Sequence, residues 1–296
     1  AVVREPYEPG SIQKTVTVAA AIEEGIVDVG TVFGAVADRI ELHPGACESD
    51  TDDIYGCYQD FDEHETRDMT VRDIFTVSSN VGIIRIAQKM PPELLKSYIE
   101  RFGLTAPTGI DYTGESGGLL NMPAGCSTCP LSAAIGYSLA VSPLQMAAAY
   151  GAIANDGVWI QPRLVSSIID VDGNETENEP ETREVVSPET ARIMRELLAG
   201  VVESGTGGNA SVPGYRVGGK TGTADKLDEN GNYTDVTRAS FVGLAPIDDP
   251  RLVVAVMVDE PAWEYRTGGQ AAAPVFAEIM QQALHRLGVT PDGLEE

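Results

Sequence analysis

Runs of apolar residues bounded by glycine, proline or capping residues predict that the first half of the chain is mainly helical. The stretch 11–24 follows a Pro-Gly break and ends at Gly25, which predicts a buried helix there. Thr70 and Asp73 have the spacing of a capping pair and open a short helix that should end at a Ser-Ser-Asn turn. Further helices are expected at 80–89, 91–103 and 144–156.

Two polar stretches interrupt these helices. Residues 41–66 are crowded with Asp and Glu and predict a solvated loop or irregular hairpin, which Cys47 and Cys57 could tie together. Calcium binding is the alternative for this segment, although its acidic residues lack the ligand spacing of an EF-hand. Residues 105–130 are rich in Gly, Pro and Thr and are expected to form a loop.

The second half of the chain has the pattern of strands. Residues 163–186 predict two strands around a polar hairpin, with a turn at 170–174. Three β-like stretches follow, and the short connections between them should make them pair antiparallel. They lie at 215–226, 235–246 and 251–261, and the remaining helices are expected at 189–204 and 273–287. Helices gathered on one side of a late antiparallel sheet indicate an α+β domain.

The charge balance narrows the possible function classes. The chain carries 45 acidic and 20 basic residues among 296, a formal net charge of -25. A nucleic-acid partner is not expected, because nucleic-acid binding needs basic surfaces. The hydrophobic fraction of 43% is that of an ordinary globular protein. No apolar run in this sequence approaches the roughly 18 residues of a membrane-spanning helix.

The cysteines offer three interpretations. Cys47, Cys57, Cys126 and Cys129 are an even number, which favours two disulfides in an oxidising compartment. Free thiols are the first alternative and a metal site is the second. Zinc needs about four ligands, however, and neither cysteine pair has a histidine at a ligand-like position. Neither a metal ion nor another cofactor is therefore expected, and the pairing of the cysteines stays open.

The candidate nucleophile is Ser11, at a predicted helix start. Ser11 and Lys14 are three residues apart and share one helix face. The free N–H groups and the dipole of the first turn favour negative charge that develops at the serine. A serine hydroxyl needs a base, and Lys14 could serve if burial beside another cation lowered its pKa. Alone, this pattern also fits a helix cap followed by a surface lysine.

A second motif, Ser78-Ser79-Asn80, lies at the predicted turn between two helices. Ser78 could relay a proton, and Asn80 could hold a substrate amide. By itself this motif is weak, because Ser and Asn are common in turns.

The third motif, Lys220-Thr221-Gly222-Thr223, lies on a predicted strand. Lys220 supplies positive charge, and Thr221 could hydrogen-bond a substrate carboxylate. The glycines, among them Gly222, would let a substrate backbone lie along the strand edge. The N–H groups of Thr223 and Ser11 are candidates for an oxyanion hole. A plain edge strand with a glycine-rich bend is the competing interpretation.

The three motifs together occur in the order S-x-x-K, S-x-N, K-T-G, the signature of penicillin-binding proteins and class A β-lactamases. Through EPGSIQK, SSNVG, GKTGTA and SFVGLAP, the chain resembles the transpeptidase domain of class B penicillin-binding proteins. The segments GYSLAVSPLQMAAAYGAIANDG and GGQAAAPVFAEIM extend the resemblance to nearly the whole chain, except the two cysteine-containing segments. It implies an α+β, penicillin-binding/β-lactamase-like fold, with an antiparallel sheet flanked by helices and an all-helical lobe.

The resemblance also implies an activity, that of a D,D-transpeptidase that cross-links peptidoglycan stem peptides and is acylated by β-lactams. Ser11 would attack the donor peptide, and Lys14 and Ser78 would move protons. Asn80 and Lys220 would hold the donor. A D,D-carboxypeptidase and a non-enzymatic β-lactam sensor or division scaffold are the alternatives. A β-lactamase is disfavoured, because no E-x-x-L-N segment lies between the second and third motifs.

A cellular setting follows from the same resemblance. The parent protein would have one membrane anchor, with this domain on the extracytoplasmic face of the bacterial cytoplasmic membrane. Its partners would be stem peptides, β-lactams, and a SEDS-type glycosyltransferase with other division or elongation proteins. Residues 1–296 are expected to be one transpeptidase domain truncated at its amino terminus, because only ten residues precede Ser11. The anchor, a pedestal module and the first strands of the sheet would lie outside it.

Overall fold

The computed structural model describes residues 2–47, 56–228 and 232–292. Its α-helices are α1 (Lys14–Glu23), α2 (Val71–Thr76), α3 (Asn80–Ala87), α4 (Pro92–Arg101), α5 (Cys129–Ala134), α6 (Pro143–Ala154), α7 (Pro188–Ser204) and α8 (Gly268–Arg286). Its strands are β1 (Val32–Val36), β2 (Arg39–Glu41), β3 (Cys57–Gln59), β4 (Arg67–Thr70), β5 (Leu119–Leu120), β6 (Leu139–Ala140), β7 (Val158–Ile160), β8 (Ser167–Ile169), β9 (Glu175–Glu177), β10 (Thr182–Glu184), β11 (Gly218–Leu227), β12 (Tyr233–Ala245) and β13 (Leu252–Asp259). Short 3₁₀ helices lie at Gly10–Gln13, Gly208–Ala210 and Trp263–Tyr265. The α+β class expected from the sequence is confirmed.

The largest sheet has the order β11-β12-β13, and both of its pairings are antiparallel, as predicted. Alternate residues along its strands face two different cores, because successive side chains of a strand point to opposite faces. Phe241 packs with Phe276 of α8 in one core, whereas Val242 belongs to the other, larger core. Helices α6 and α7 cover that second face. Helices therefore lie on both faces of the sheet, in agreement with the expected antiparallel sheet flanked by helices, whereas the sequence pattern alone suggested one side.

The helical lobe packs around α1, whose residues from Lys14 to Ala21 are buried. Three successive alanines, 19–21, give this helix a small cross-section where α3, α4 and α7 contact it. The predicted buried helix over 11–24 is confirmed, with the difference that its first turn is the 3₁₀ helix Gly10–Gln13. Among the described residues, no helix has both the length and the apolarity that crossing a membrane requires.

Caps fix the ends of two helices that carry or border the motifs. Thr70 and Asp73 form the predicted capping box at the start of α2. Ser142 and Gln145 form another at α6. The Gln145 side chain is buried and also donates to the carbonyl oxygens of Gly103, Ala106 and Gly117, at 3.2, 2.9 and 3.2 Å. This one side chain thus holds the beginning and the end of a glycine-rich connection against the helical lobe.

Two predicted segments differ from the structure. The stretch 163–186 contains three strands, because β8 pairs with β9 and β10 pairs with β7. The predicted turn at 170–174 is present, because the Asp170 carboxylate accepts from the N–H groups of Asp172 and Asn174. The difference from the prediction is β10, which pairs with β7 outside this segment. Within 105–130, β5 pairs with β6, and α5 begins at Cys129 instead of after the loop.

Both cysteine-containing segments are closed by disulfides. Cys47 bonds Cys57 beside the hairpin of β2 and β3, and Cys126 bonds Cys129 at the start of α5. The acidic residues 48–55 between the first two cysteines lie outside the described residues, so the predicted loop there stays a prediction. The expectation that further strands belong to the main sheet also stays a prediction. In the described ranges, β13 pairs with β12 and with no other strand.

Candidate active site

Ser11 lies in the 3₁₀ helix that precedes α1, beside the edge of β11. Gly10 has φ +55 and donates from its N–H to the carbonyl oxygen of Gly136 at 3.1 Å. A Cβ at Gly10 would lie 3.0 Å from the carbonyl oxygen of Thr223, so glycine permits both the left-handed turn and the close approach. The turn therefore brings Ser11 next to the third motif, which is far away in sequence.

Ser78 occupies a strained turn between α2 and α3. Its φ is +61, which is uncommon for a residue with a side chain. The next residue, Ser79, caps α3 by accepting from the N–H of Gly82 at 2.8 Å. Such strain persists only where surrounding contacts over-determine the conformation, and it clusters at functional sites. Here those contacts are made by two lysines.

The side chains of Lys14 and Lys220 converge on Ser78. Lys14 donates from Nζ to the Ser78 carbonyl oxygen at 2.6 Å and to Oγ at 3.3 Å. Lys220 donates from Nζ to the same Oγ at 2.8 Å. Both lysines are fully buried. The Ser78 hydroxyl can therefore accept from both lysines and still donate its own proton elsewhere.

Burial lowers the pKa of both lysines. For Lys14 the pKa falls to about 7, because burial penalises the ammonium more than the charge of Asp60 favours it. For Lys220 the pKa lies well below the ordinary value, first through burial and then through repulsion by Lys14. Two neighbouring buried ammonium groups are therefore disfavoured near neutral pH, and the pair can supply a neutral amine that acts as a base.

Ser11 Oγ and Lys14 Nζ are not hydrogen-bonded to each other among the described residues; the lysine is directed at Ser78. Ser11 lies in the 3₁₀ helix Gly10–Gln13, and Lys14 is the first residue of α1, one helical turn later. Hydrogen bonds to a nucleophile are often long in a free enzyme and shorten when the substrate binds.

Asn80 is the first residue of α3, and its side-chain orientation is fixed by the β2–β3 hairpin. Its Nδ2 donates to the carbonyl oxygen of Gln59 at 2.7 Å. One N–H and the amide oxygen remain to contact a bound peptide. The disulfide-closed hairpin therefore has a direct contact with the second motif.

The third motif forms the inner end of β11. Thr221 Oγ1 lies 2.8 Å from Thr206 Oγ1, and Thr223 Oγ1 accepts from the N–H of Gly268 at 3.1 Å. Gly222 must be glycine, because a Cβ there would lie 2.8 Å from the carbonyl oxygen of Pro9. Among the described strands, β11 pairs only with β12, so its other edge has no strand partner there.

Sequence reasoning missed three residues, Glu8 before the first motif and the hairpin residues Gln59 and Asp60. Glu8 is half-buried, and burial raises the pKa of its carboxyl group, which accepts from Ser138 N–H and Tyr233 Oη at 3.1 and 3.0 Å. Gln59 and Asp60 reach the second motif from the hairpin. Asp60 gives no signal in the sequence, because it is one of many acidic residues in that segment. For Glu8, the sequence signal that could have indicated a role is its position three residues before Ser11.

Several known proteins are similar to this chain over nearly its whole length. The family described as penicillin binding protein transpeptidase domain matches residues 1–281. The chain is 39% identical over 306 residues to penicillin-binding protein PbpB of Mycolicibacterium smegmatis, covering 98% of this chain and 45% of that protein. It is 30% identical to peptidoglycan D,D-transpeptidase FtsI of Escherichia coli K12, covering 99% of this chain and 46% of that protein. The chain thus spans about half the length of these curated relatives.

A solved structure shows the same fold. The crystal structure of penicillin binding protein 3 from Mycobacterium tuberculosis, complexed with aztreonam, superimposes with a TM-score of 0.87. The two sequences are 35% identical, and the alignment covers 98% of this chain and 65% of that one. With the family match over residues 1–281, these likenesses show that the chain belongs to the penicillin-binding protein transpeptidase domain family.

Proposed function

We propose that this chain is the transpeptidase domain of a class B penicillin-binding protein, which cross-links peptidoglycan stem peptides through an acyl-enzyme at Ser11. The observation that carries the proposal is a buried array in which Lys14 and Lys220 both donate to Ser78. Lys14 lies one helical turn after Ser11. Such an array combines a lysine of lowered pKa with a hydroxyl that can relay a proton. Residues 1–296 are proposed to be one transpeptidase domain.

The first half-reaction is acylation. Lys14 takes the proton of Ser11 as Oγ attacks the carbonyl carbon between the two terminal D-alanines of the donor peptide. The N–H groups of Ser11 and Thr223 hold the oxyanion. The proton passes from Lys14 through Ser78 to the amine of the leaving D-alanine, whose C–N bond breaks. Ser11 is left as an ester of the donor.

Donor binding uses the remaining motif residues. Asn80 orients a peptide amide of the donor through the polar groups that Gln59 leaves available. Lys220 and Thr221 engage its carboxylate end. The free edge of β11, with Gly222, lets the peptide backbone lie alongside as an added strand. No metal or cofactor takes part in these steps.

The second half-reaction transfers the acyl group to an amine of a neighbouring stem. The amine attacks the ester carbon, and its proton returns through Ser78 and Lys14 to Ser11 Oγ, whose C–O bond breaks. β-Lactams would enter the same site as donor mimics and acylate Ser11. A D,D-carboxypeptidase would use water in place of the amine, and a sensor would stop at the acyl-enzyme.

The whole protein is proposed to act on the extracytoplasmic face of the bacterial cytoplasmic membrane, held there by a single membrane span. Its proposed protein partners are a SEDS-type glycosyltransferase and other division or elongation proteins. These assignments rest on the family alone.

Intact mass spectrometry with a β-lactam tests the acyl-enzyme. We expect one adduct, located at Ser11 by peptide mapping and absent from Ser11→Ala. Incubation with a donor stem peptide and an amine acceptor then separates the three activities, because only a transpeptidase forms the cross-linked product. No adduct on the unmodified chain would contradict the Ser11 assignment, and hydrolysis without cross-linking would favour the carboxypeptidase.

A further inference from the structure

Asp60 lies directly after β3 and is buried against the second motif. Only 6% of its side chain is exposed. Its Oδ1 accepts from the backbone N–H of Val81 at 2.9 Å, and its Oδ2 lies 3.0 Å from Nε2 of His64. Val81 follows Asn80 in the first turn of α3, where backbone N–H groups have no partner within the helix. Asp60 therefore caps, from another segment, the helix that carries Asn80.

The position of Asp60 also matters for charge. Lys14 from α1 and Lys220 from β11 meet at Ser78, and neither makes an ion pair among the described residues. Asp60 is the acid whose charge favours the ammonium form of Lys14, against the larger effect of burial. In a chain with a net charge of -25, two buried lysines that meet at one serine are a local exception.

We propose that Asp60 is a positioning residue for the acyl transfer: its carboxylate holds the Ser78–Asn80 turn by capping α3, and the charge of that carboxylate acts on Lys14. The inference rests on the proposed function. It assigns a role to the hairpin that the three motifs do not describe.

The groups that face Asp60 set the expected pH dependence. They are the N–H of Val81 and the imidazole of His64, which contact the carboxylate, and Lys14, whose pKa the charge of Asp60 raises against the effect of burial. Hydrogen bonds to the Glu65 carbonyl and then to Asp60 raise the pKa of His64, while Arg67 lowers it. With Asp60 ionised, the ammonium of Lys14 is favoured. Removing this charge should lower the pKa of Lys14 further and make the base available at lower pH.

The variant that isolates the charge is Asp60→Asn, because the amide oxygen can still accept from Val81 N–H. The matched control is Asp73→Asn, which removes the carboxylate of another helix cap, at α2, where the nearby charges are Arg67 and Arg72. Asp60→Ala removes both the charge and the cap. Thermal unfolding of all three variants verifies that each is folded.

Two readouts are needed. The first is the rate of Ser11 acylation by a β-lactam as a function of pH. We expect the acidic limb of Asp60→Asn to move down by about one pH unit, and that of Asp73→Asn to stay in place. Asp60→Ala should show the same shift of its acidic limb and, in addition, a plateau rate about tenfold lower, because the turn is no longer held. An unmoved limb in Asp60→Asn, or a wild-type rate in Asp60→Ala, overturns the corresponding half of the inference.

The second readout does not depend on catalysis. The chain has only five lysines, so the ¹³Cε resonance of Lys14 can be assigned with Lys14→Arg and titrated by NMR. The Lys14 pKa should fall in Asp60→Asn and not in Asp73→Asn. If Ser11 is not acylated but this shift is seen, the proposed function fails while the charge assignment stands. An unchanged Lys14 titration overturns the charge assignment whatever the enzyme does.

Discussion

The two ends of β11 carry lysines in opposite surroundings. Lys220, at the inner end, is fully buried beside Ser78, and burial followed by repulsion from Lys14 lowers its pKa. Lys226, at the outer end, donates to Glu260 and Asp259 at the surface. The hydrogen bond to Glu260 is the main cause that raises its pKa. The neighbours of these two lysines therefore shift their pKa values in opposite directions, although both lie on one strand.

The two ends of β11 differ in whether carboxylates form ion pairs with the lysines. At the outer end they pair with cations in solvent, where each pair contributes little to stability. At the inner end the structure leaves two lysines without an ion-pair partner in the described residues, which is costly unless the ammonium form is given up. The buried lysines at the inner end therefore reduce folding stability but supply a basic amine. Lys226 at the outer end does neither.

The strongest way to break this comparison is to remove one of the two buried amines that meet at Ser78, that of Lys14. Lys14→Met keeps a long apolar stem in the helix and should slow Ser11 acylation by about a thousandfold, because a positioned base is lost. Lys226→Ala is the control and should acylate at nearly the wild-type rate. Stopped-flow measurement with a chromogenic β-lactam compares the two. A Lys14→Met rate within tenfold of wild type would remove Lys14 from the proposed mechanism.

Local sequence signals were enough to predict the helices and strands that carry the motifs. The capping box of Thr70 and Asp73 and the three antiparallel strands depend on short-range patterns, and the structure has them. The contacts of Asp60 and Glu8 could not be predicted, because they join segments far apart in sequence and depend on how side chains pack. The pairing of β10 with β7 was missed for the same reason, since hairpin neighbours are the default expectation.

A second test concerns the close packing at the inner end. Gly222→Ala places a Cβ 2.4 Å from Ser240 Oγ and 2.8 Å from the Pro9 carbonyl oxygen, and the latter is backbone. We expect the free energy of unfolding to fall by about 2 kcal/mol. Gly151→Ala, inside α6 where a Cβ meets nothing within 4 Å, should instead gain about 0.5 kcal/mol. Urea unfolding measures both, and equal effects would refute the packing argument.

The pH dependence of stability sharpens the comparison further. The pKa of Lys14 is about 7 in the folded chain against an ordinary value of 10.5. Between these values the unfolded chain binds a proton that the folded chain lacks, so stability rises with pH, by up to about 1.4 kcal/mol per pH unit. Lys14→Met should lose this contribution. Urea unfolding at about pH 7.5 and about pH 9.5 measures this contribution. If the free energy of unfolding changed equally between the two pH values in both proteins, the lowered pKa of Lys14 would be contradicted.

The smallest expected effect is at the outer end. The side chain of Lys226 is 19% exposed, while those of Asp259 and Glu260 are 49% and 59% exposed, so water screens both pairs. Arg238 also contacts Asp259 and still neutralises it when Lys226 is removed. Lys226→Ala should therefore cost only about 0.5 kcal/mol of stability. The cost should shrink in about 1 M NaCl, where charges are screened within about 3 Å. A larger loss that salt does not reduce would mean that the outer lysine, like the inner ones, is held by packing, and the contrast between the two ends of β11 would fail.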